Sequence, residues 1–197
     1  MMKHFLSSLL FSLTLVAAGV ATTAQAASPQ AGAAVTASAA QQAAMQFELT
    51  RLIAQFGDGI AETHSENPAR IVYGNFFDDH KNDAVVLFNL EGYGGANHHA
   101  EFIAFFTELE QFEVAGKRNR PYLLVAVTKL GERGWRSFDF NSASIKQGTV
   151  TLKGKEMASR DAMCCPSLTI TRSFSVDEFD RIVESKDGKL KGRITRP

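Results

Sequence analysis

The chain has 197 residues, with 21 Lys and Arg against 21 Asp and Glu, so its formal net charge is zero. This balance argues against a nucleic-acid-binding protein, which usually presents a strongly basic surface. The length suits one domain that can bury a core without disulfides, and 15 Phe residues support a packed apolar interior.

The first 26 residues have the pattern of a secretory signal peptide. Lys3 and His4 give a short basic start, and an apolar run follows from Phe5 to Val20. Residues 24–26, with the sequence AQA, supply small side chains at the two positions that a signal peptidase reads. The apolar run is shorter than the about 20 residues that span a bilayer. We therefore predict cleavage near Ala26 and a periplasmic or secreted mature protein without a stable membrane span.

An Ala-rich, nearly uncharged segment over residues 27–37 predicts a disordered spacer. A helix is predicted over residues 38–56, because apolar residues recur there at helical spacing on one face. These residues are Met45, Leu49, Leu52, Ile53 and Phe56. Gly57 is a natural end point, and the apolar face is expected to pack on another apolar surface.

Short β-rich runs separated by turn residues follow the helix. They are RIVYGNFF, DAVVLFNL, AEFIAFFTEL, RPYLLVAVTKL, WRSFDF, ASIKQ, TVTLKGK, SLTITRSFSV and FDRIVES. Their close spacing, with Gly148 marking a hairpin, predicts an antiparallel meander rather than βαβ units. The predicted fold class is α+β and mainly antiparallel β. It is a twisted meander sheet of about seven or eight strands, with the one N-terminal amphipathic helix packed on a face.

The predicted single domain covers residues 38–185, and a basic tail covers residues 186–197. The basic residues of this tail beyond its first position are Lys189, Lys191, Arg193 and Arg196. A frayed terminus is the favoured interpretation of this tail, and contact with anionic lipid or polysaccharide is the alternative.

Three segments together resemble a domain of uncharacterised bacterial secreted proteins. They are VYGNFFDDHKNDAVVLFN, KLGERGWRSFDFNSASIKQGTVTL and RDAMCCPSLTITRSFSV. In that domain a GDLDGDGxxDAxVxL hairpin precedes an LGDR strand end and a DxMCCPS motif that leads into a strand. The resemblance covers roughly residues 70–185. It implies an exported, mostly β domain and no particular chemistry.

The acidic hairpin GNFFDDHKNDAVVL is a candidate calcium site, because closely spaced carboxylates on a turn supply oxygen ligands. Aligned on the resembling pattern, the candidate ligands are Asn75, Asp79 and Asp83. Phe77 replaces an acidic residue of that pattern, and His80 replaces a glycine that permits a sharp turn. Hydrogen-bonding turn residues are therefore favoured over a calcium site.

His98 and His99 invite a zinc interpretation, with His64 and His80 as further ligands. Adjacent side chains on a strand point to opposite faces, so His98 and His99 could not hold one metal together there. We therefore disfavour a zinc site at these histidines and predict no cofactor.

Cys164 and Cys165 are the two cysteines of the chain, and an oxidising compartment makes unpaired thiols unusual. Four arrangements remain open: a vicinal disulfide, two buried thiols, an intermolecular disulfide, and a soft-metal site with Met157 or Met163. The vicinal disulfide is favoured, and Pro166 helps by holding Cys165 extended. A structural lock on the turn is favoured over redox catalysis, because the two-residue gap of thiol oxidoreductases is absent.

The sequence offers no nucleophile with a supporting base in a known motif. Glu132 and Arg133 could pair across a hairpin. Trp135 is interpreted as a core residue, with an exposed sugar-stacking ring as the alternative. The favoured hypothesis is an exported, non-catalytic domain that binds a protein, glycan or envelope component. A thiol-dependent protein for copper handling or redox sensing is the alternative, and a calcium-stabilised adhesion module is a third hypothesis.

Overall fold

The computed structural model describes residues 36–57, 61–63, 69–77, 82–109, 112–114, 117–119 and 122–186. The predicted signal peptide, nearly all of the predicted spacer and the tail beyond Lys186 lie outside these residues. The described residues all belong to one unit, Ala31–Pro197.

The single helix of the described residues, α1, spans Ala39–Phe56. It begins with a capping box, in which the Ser38 Oγ accepts from the Gln41 N–H and the Gln41 Oε1 accepts from the Ser38 N–H. It ends where the Gly57 N–H donates to the Ile53 carbonyl oxygen at 2.7 Å. The predicted span is therefore confirmed. No helix in the described ranges is long and apolar enough to cross a membrane.

Eleven strands follow the helix in the described part of the chain. They are β1 (Glu62–Thr63), β2 (Arg70–Gly74), β3 (Asp83–Glu91), β4 (His99–Glu108), β5 (Phe112–Val114), β6 (Lys117–Asn119), β7 (Tyr122–Glu132), β8 (Arg136–Lys146), β9 (Thr149–Glu156), β10 (Leu168–Val176) and β11 (Ile182–Ser185). Nine of them form one open antiparallel sheet in the order β1-β3-β4-β7-β8-β9-β10-β11, with β2 also paired to β3. Strands β5 and β6 form a separate hairpin.

The predicted α+β meander is confirmed, because each long strand pairs with its neighbour in the chain. The sheet has nine strands rather than seven or eight, and the unpredicted one is the two-residue strand β1. Strands β1 and β2 pair with successive parts of β3. The segments WRSFDF and ASIKQ, predicted as two strands, lie in the one strand β8. The pairing of β8 with β9 changes register between Asp139 and Ser144.

The hairpin between β8 and β9 forms where Gly148 predicts it. Gln147 and Gly148 have φ values of 48° and 73°. Two successive residues in the left-handed region produce the tight turn whose twist matches that of the two strands.

Strands β3 and β4 are buried on both faces, because their alternate side chains enter two different apolar clusters. One cluster lies between the sheet and α1, and its buried members are Met45, Leu49, Leu52, Ala84, Val86, Phe88, Leu90, Ala100, Phe102, Ala104, Phe106 and Tyr122. The other joins β3 and β4 to strands β7 to β10, and its buried members are Phe76, Val85, Leu87, Ile103, Phe105, Leu130, Phe138, Phe140, Val150, Leu152, Ile170 and Phe174. The predicted apolar face of the helix is thus confirmed, with Ile53 and Phe56 partly buried at its end.

Candidate ligand-binding cleft at the cysteine loop

The loop between β9 and β10 carries the cysteine pair and is held by one carboxylate. Asp161 Oδ2 accepts from the Ala158 N–H at 2.7 Å and from the Ser167 N–H at 2.8 Å. Its Oδ1 accepts from the Ser167 hydroxyl at 2.8 Å. The hydrogen bonds from Ala158 and Ser167 lower the pKa of Asp161 below its usual value. Through these hydrogen bonds Asp161 joins Ala158 and Ser167, the two ends of the loop around the cysteines.

Cys164 and Cys165 are bonded to each other as a vicinal disulfide, and neither described cysteine is free. Their Cα atoms lie 3.8 Å apart, as adjacent residues across a trans peptide must. The Cys165 N–H donates to the Ala162 carbonyl oxygen at 2.9 Å, which forms a turn just before Pro166. The favoured disulfide is confirmed, and the buried-thiol alternative is wrong because both residues are exposed.

A cleft of about 590 Å³ opens beside this disulfide ring. The loop contributes residues 163–166, and β9 contributes residues 153–155. Further lining comes from Glu132 at the end of β7, residues 133–134 in the β7–β8 turn, residues 136–139 in β8, and His99 at the start of β4. The volume lies within the range of about 300–1,000 Å³ that is typical of small-molecule sites.

Two glycines let the cleft walls approach one another. Gly134 has a φ of +81°, and an added Cβ there would lie 3.3 Å from the Met163 Cε, so the loop rests on the β7–β8 turn. A Cβ on Gly154 would collide with the Ser137 carbonyl oxygen and lie 2.8 Å from the Phe138 Cδ1. A glycine is therefore needed where β9 passes close to β8.

Positive side chains that have no carboxylate partner among the described residues line much of the cleft. Lys153 and Lys155 are exposed on β9, and as alternate residues of a strand they project to the same face. The guanidinium of Arg133 donates to a backbone carbonyl, that of Asn97. Glu132 is paired with the Lys129 ammonium at 2.5 Å instead of with Arg133, so the predicted Glu132–Arg133 pair is wrong.

The fourth cation of the lining, Arg136, is neutralised by a carboxylate. Arg136 is 6 % exposed, and its two terminal nitrogens donate to the Glu184 carboxylate at 2.7 and 2.8 Å. Burial favours the protonated form of Glu184. The Arg136 hydrogen bonds and charge, with the charge of Arg172, outweigh burial and hold the pKa of Glu184 below its usual value.

Trp135 packs against the Arg136 guanidinium and does not lie in the core. The Arg136 guanidinium carbon is 4.0 Å from the centre of its ring. Trp135 is 37 % exposed and belongs to neither apolar cluster, so the core interpretation is wrong. It does not line the cleft.

Glu101 on β4 is a buried carboxylate behind the cleft wall, with only 1 % of its surface exposed. It accepts from the Ser137 hydroxyl and from the Phe138 N–H, each at 2.8 Å. Phe138 pairs with Gly154 of β9 on one side. On the other side β7 and β8 pair only at Glu132 and Arg136, so the Glu101 carboxylate accepts the Phe138 N–H there in place of a β7 carbonyl. Burial raises the pKa of Glu101 to about 7 against these hydrogen bonds.

The candidate calcium ligand Asp83 is fully buried and its carboxylate is engaged by protein donors. Its Oδ2 accepts from the Phe76 and Phe77 N–H groups, each at 2.9 Å. Its Oδ1 accepts from the Thr107 hydroxyl at 3.0 Å and the Glu108 N–H at 3.1 Å. These bonds join the residues after β2 to the end of β4, so the Asp83 carboxylate has a structural role.

The remaining predicted metal ligands are scattered or lie outside the described residues. Asn75 lies after β2, away from the cleft lining, and Asp79, His64 and His80 are not described. Of His98 and His99, only His99 lines the cleft. Within the described ranges, no three His, Cys, Asp or Glu side chains come together as a metal-ligand group. The calcium site, which the sequence disfavours, is untested because Asp79 lies outside the described residues.

Cys164, Cys165 and Pro166 were predicted as one site from the sequence. His99, Glu132, Arg133 and Met163 were named only for other roles, and the remaining lining residues were not named. A sequence pattern could have indicated the role of Asp161, since Asp and Ser six residues apart flank a tight CCP turn. Glu101 also has such a pattern, as a single carboxylate inside the apolar segment AEFIAFF. Lys153 and Lys155 have none, because exposed lysines on a strand are ordinary.

Comparison of the chain with protein-family models, with curated proteins and with solved structures found no match. The geometry of the cleft is therefore the basis for interpreting its function.

Proposed function

We propose that this chain is an exported, non-catalytic binding domain that holds a small ligand in the cleft beside the Cys164–Cys165 ring. One observation carries the proposal: a cleft of about 590 Å³ has one side formed by a loop that is closed at both ends. A wall that is already ordered loses little conformational entropy when a ligand binds.

Export is supported by the signal-peptide pattern that ends near Ala26 and by the disulfide. Disulfides persist in oxidising compartments such as the periplasm and are rare in the cytosol. The resemblance to secreted bacterial domains over roughly residues 70–185 agrees with this compartment.

A binding role is favoured over catalysis by the contacts of the polar groups in the cleft. Ser137 is hydrogen-bonded to a carboxylate, that of Glu101, an arrangement that can activate a nucleophile. The same carboxylate is held by the Phe138 N–H in place of a β7 carbonyl. We therefore assign the Ser137–Glu101 contact to the architecture of the sheet.

Fragment screening by amide-resolved NMR tests the cleft as a binding site. We expect fragment hits to shift the amides of residues 153–155 and 163–165 together. Lys155→Trp, which adds bulk at the cleft, should abolish those shifts. Lys146→Trp, at an exposed lysine outside the lining, should retain them. Hits scattered over the surface, or none at the cleft, would contradict the proposal.

A second candidate function is redox sensing through the ring, and the exposure of both cysteines favours it. A reductant could reach the sulfurs and release two thiols at the cleft. This alternative predicts stoichiometric copper(I) binding after reduction. Serine at both cysteine positions should abolish that binding.

A further inference from the structure

We propose that the ligand of this cleft is an acidic saccharide. Its carboxylate would lie against Lys153 and Lys155, and a sugar face would pack on the disulfide ring and Pro166. The inference rests on the proposed function, because it names the ligand class of the same cleft. Three observations support it: the charge of the cleft lining, the spacing of the two lysines, and the apolar wall formed by the cysteine loop.

The charge of the lining favours an anion. Its cations are Arg133, Arg136, Lys153 and Lys155, and its carboxylates are Glu132 and Asp139. Arg136 is neutralised by Glu184 and Glu132 by Lys129. Three cations then face one carboxylate, in a chain whose overall formal charge is zero. The excess positive charge at the cleft raises the local concentration of anionic ligands.

The spacing of the two lysines suits a carboxylate. As alternate residues on β9, they lie about 7 Å apart along the strand. Lys153 is opposite Asp139 in the strand register and Lys155 is opposite Ser137. Neither lysine forms an ion pair with any residue that the structure describes. Both ammonium groups are therefore available to one anionic group placed between them.

The wall formed by the cysteine loop selects more than a bare anion. The disulfide ring and Pro166 present apolar surface beside the lysines, and Met163 adds a side chain that is 65 % exposed. Inorganic phosphate would leave this surface in water, and an acyl chain would have to lie against charged walls. A uronic acid has an apolar C–H face and a carboxylate at its rim, so it matches both sides. Asp139 and His99 remain to bind its hydroxyls.

Calorimetric titration of the oxidised protein with α-1,4-linked trigalacturonate tests the inference, with neutral maltotriose and inorganic phosphate as comparison ligands. We expect saturable binding of trigalacturonate that weakens with added salt. We expect no binding of maltotriose, and phosphate should compete only at much higher concentration. Replacing Lys153 and Lys155 together by Gln should weaken binding at least about tenfold.

Lys146→Gln is the matched control, because Lys146 is an exposed strand lysine outside the cleft lining. It should leave the affinity for trigalacturonate unchanged. Equal binding of maltotriose would overturn the role of charge, and equal binding of phosphate would overturn the role of the sugar. Absence of trigalacturonate binding would overturn the ligand class. If fragments still shifted the cleft amides, the proposed function would survive that result.

Discussion

Glu101→Gln should remove a large pH dependence of stability. Glu101 is 1 % exposed, and burial raises the pKa of its carboxyl from 4.5 to about 7. Between these pH values the folded protein holds the proton and the unfolded chain has released it. The free energy of unfolding therefore falls as pH rises from 4.5 to 7. The stabilisation from the Glu101 proton is complete below pH 4.5 and is lost above pH 7.

The size of this effect follows from the pKa change of Glu101. The change from 4.5 to about 7, at 1.36 kcal/mol for each pH unit, corresponds to about 3 kcal/mol. Glu184, whose pKa is lowered, acts in the opposite direction and loses its contribution as pH falls. It is present in both proteins, so subtracting the two stability curves isolates the effect of Glu101.

Urea unfolding at several pH values between 5 and 8, monitored by Trp135 fluorescence, measures the difference. The stability of the wild type relative to Glu101→Gln should fall by most of the about 3 kcal/mol over this range. Glu132→Gln, which removes a half-buried and ion-paired carboxylate, should keep the wild-type slope. Parallel curves for wild type and Glu101→Gln would show that Glu101 is not a buried carboxylate with a raised pKa.

Three further substitutions test the helix contact and the cysteine loop. Leu52→Ala should lower the free energy of unfolding by about 2–5 kcal/mol. Phe47→Ala, at an exposed residue of the same helix, should change it by less than about 0.5 kcal/mol. Equal losses would contradict the packing of α1. Asp161→Asn removes one acceptor from the loop, so its amides should exchange hydrogen faster while core amides are unchanged. Unchanged loop exchange would refute the closing role of Asp161. Serine at both Cys164 and Cys165 should cost only about 1 kcal/mol, since the closed loop is very short, yet weaken trigalacturonate binding. A loss of several kcal/mol with unchanged affinity would make the ring a purely structural lock.

The helix and most strands could be predicted because their signals are local. Ser38 caps α1 through its own side chain, and the apolar face repeats at helical spacing over 18 residues. Strand β1 escaped prediction because its two residues carry no periodic pattern. Strand β8 was predicted as two strands because the polar segment NSAS interrupts its alternation, although the chain continues through a change of register.

The cleft could be predicted only where its residues share one segment. The CCP turn is visible in the sequence, and the vicinal disulfide is the favoured one of four arrangements because the chain has no other cysteine. His99, Arg133 and Lys153 reach the same cleft from three strands or turns. Their proximity depends on the tertiary arrangement of the strands. The spacing of these residues along the sequence does not reveal how close they lie in the fold. Glu101 shows the same limit, since its partners lie in β8.

The proposed function depends on a closed cysteine ring and on export, and one mass measurement tests both. The protein is recovered from its own cell envelope without reductant, and free thiols are alkylated before the intact mass is taken. We predict a chain that begins near Ala27, carries no alkyl group and is two hydrogen atoms lighter than the reduced form. A doubly alkylated chain would contradict the closed ring, and a chain that retains its first 26 residues would contradict signal-peptide cleavage.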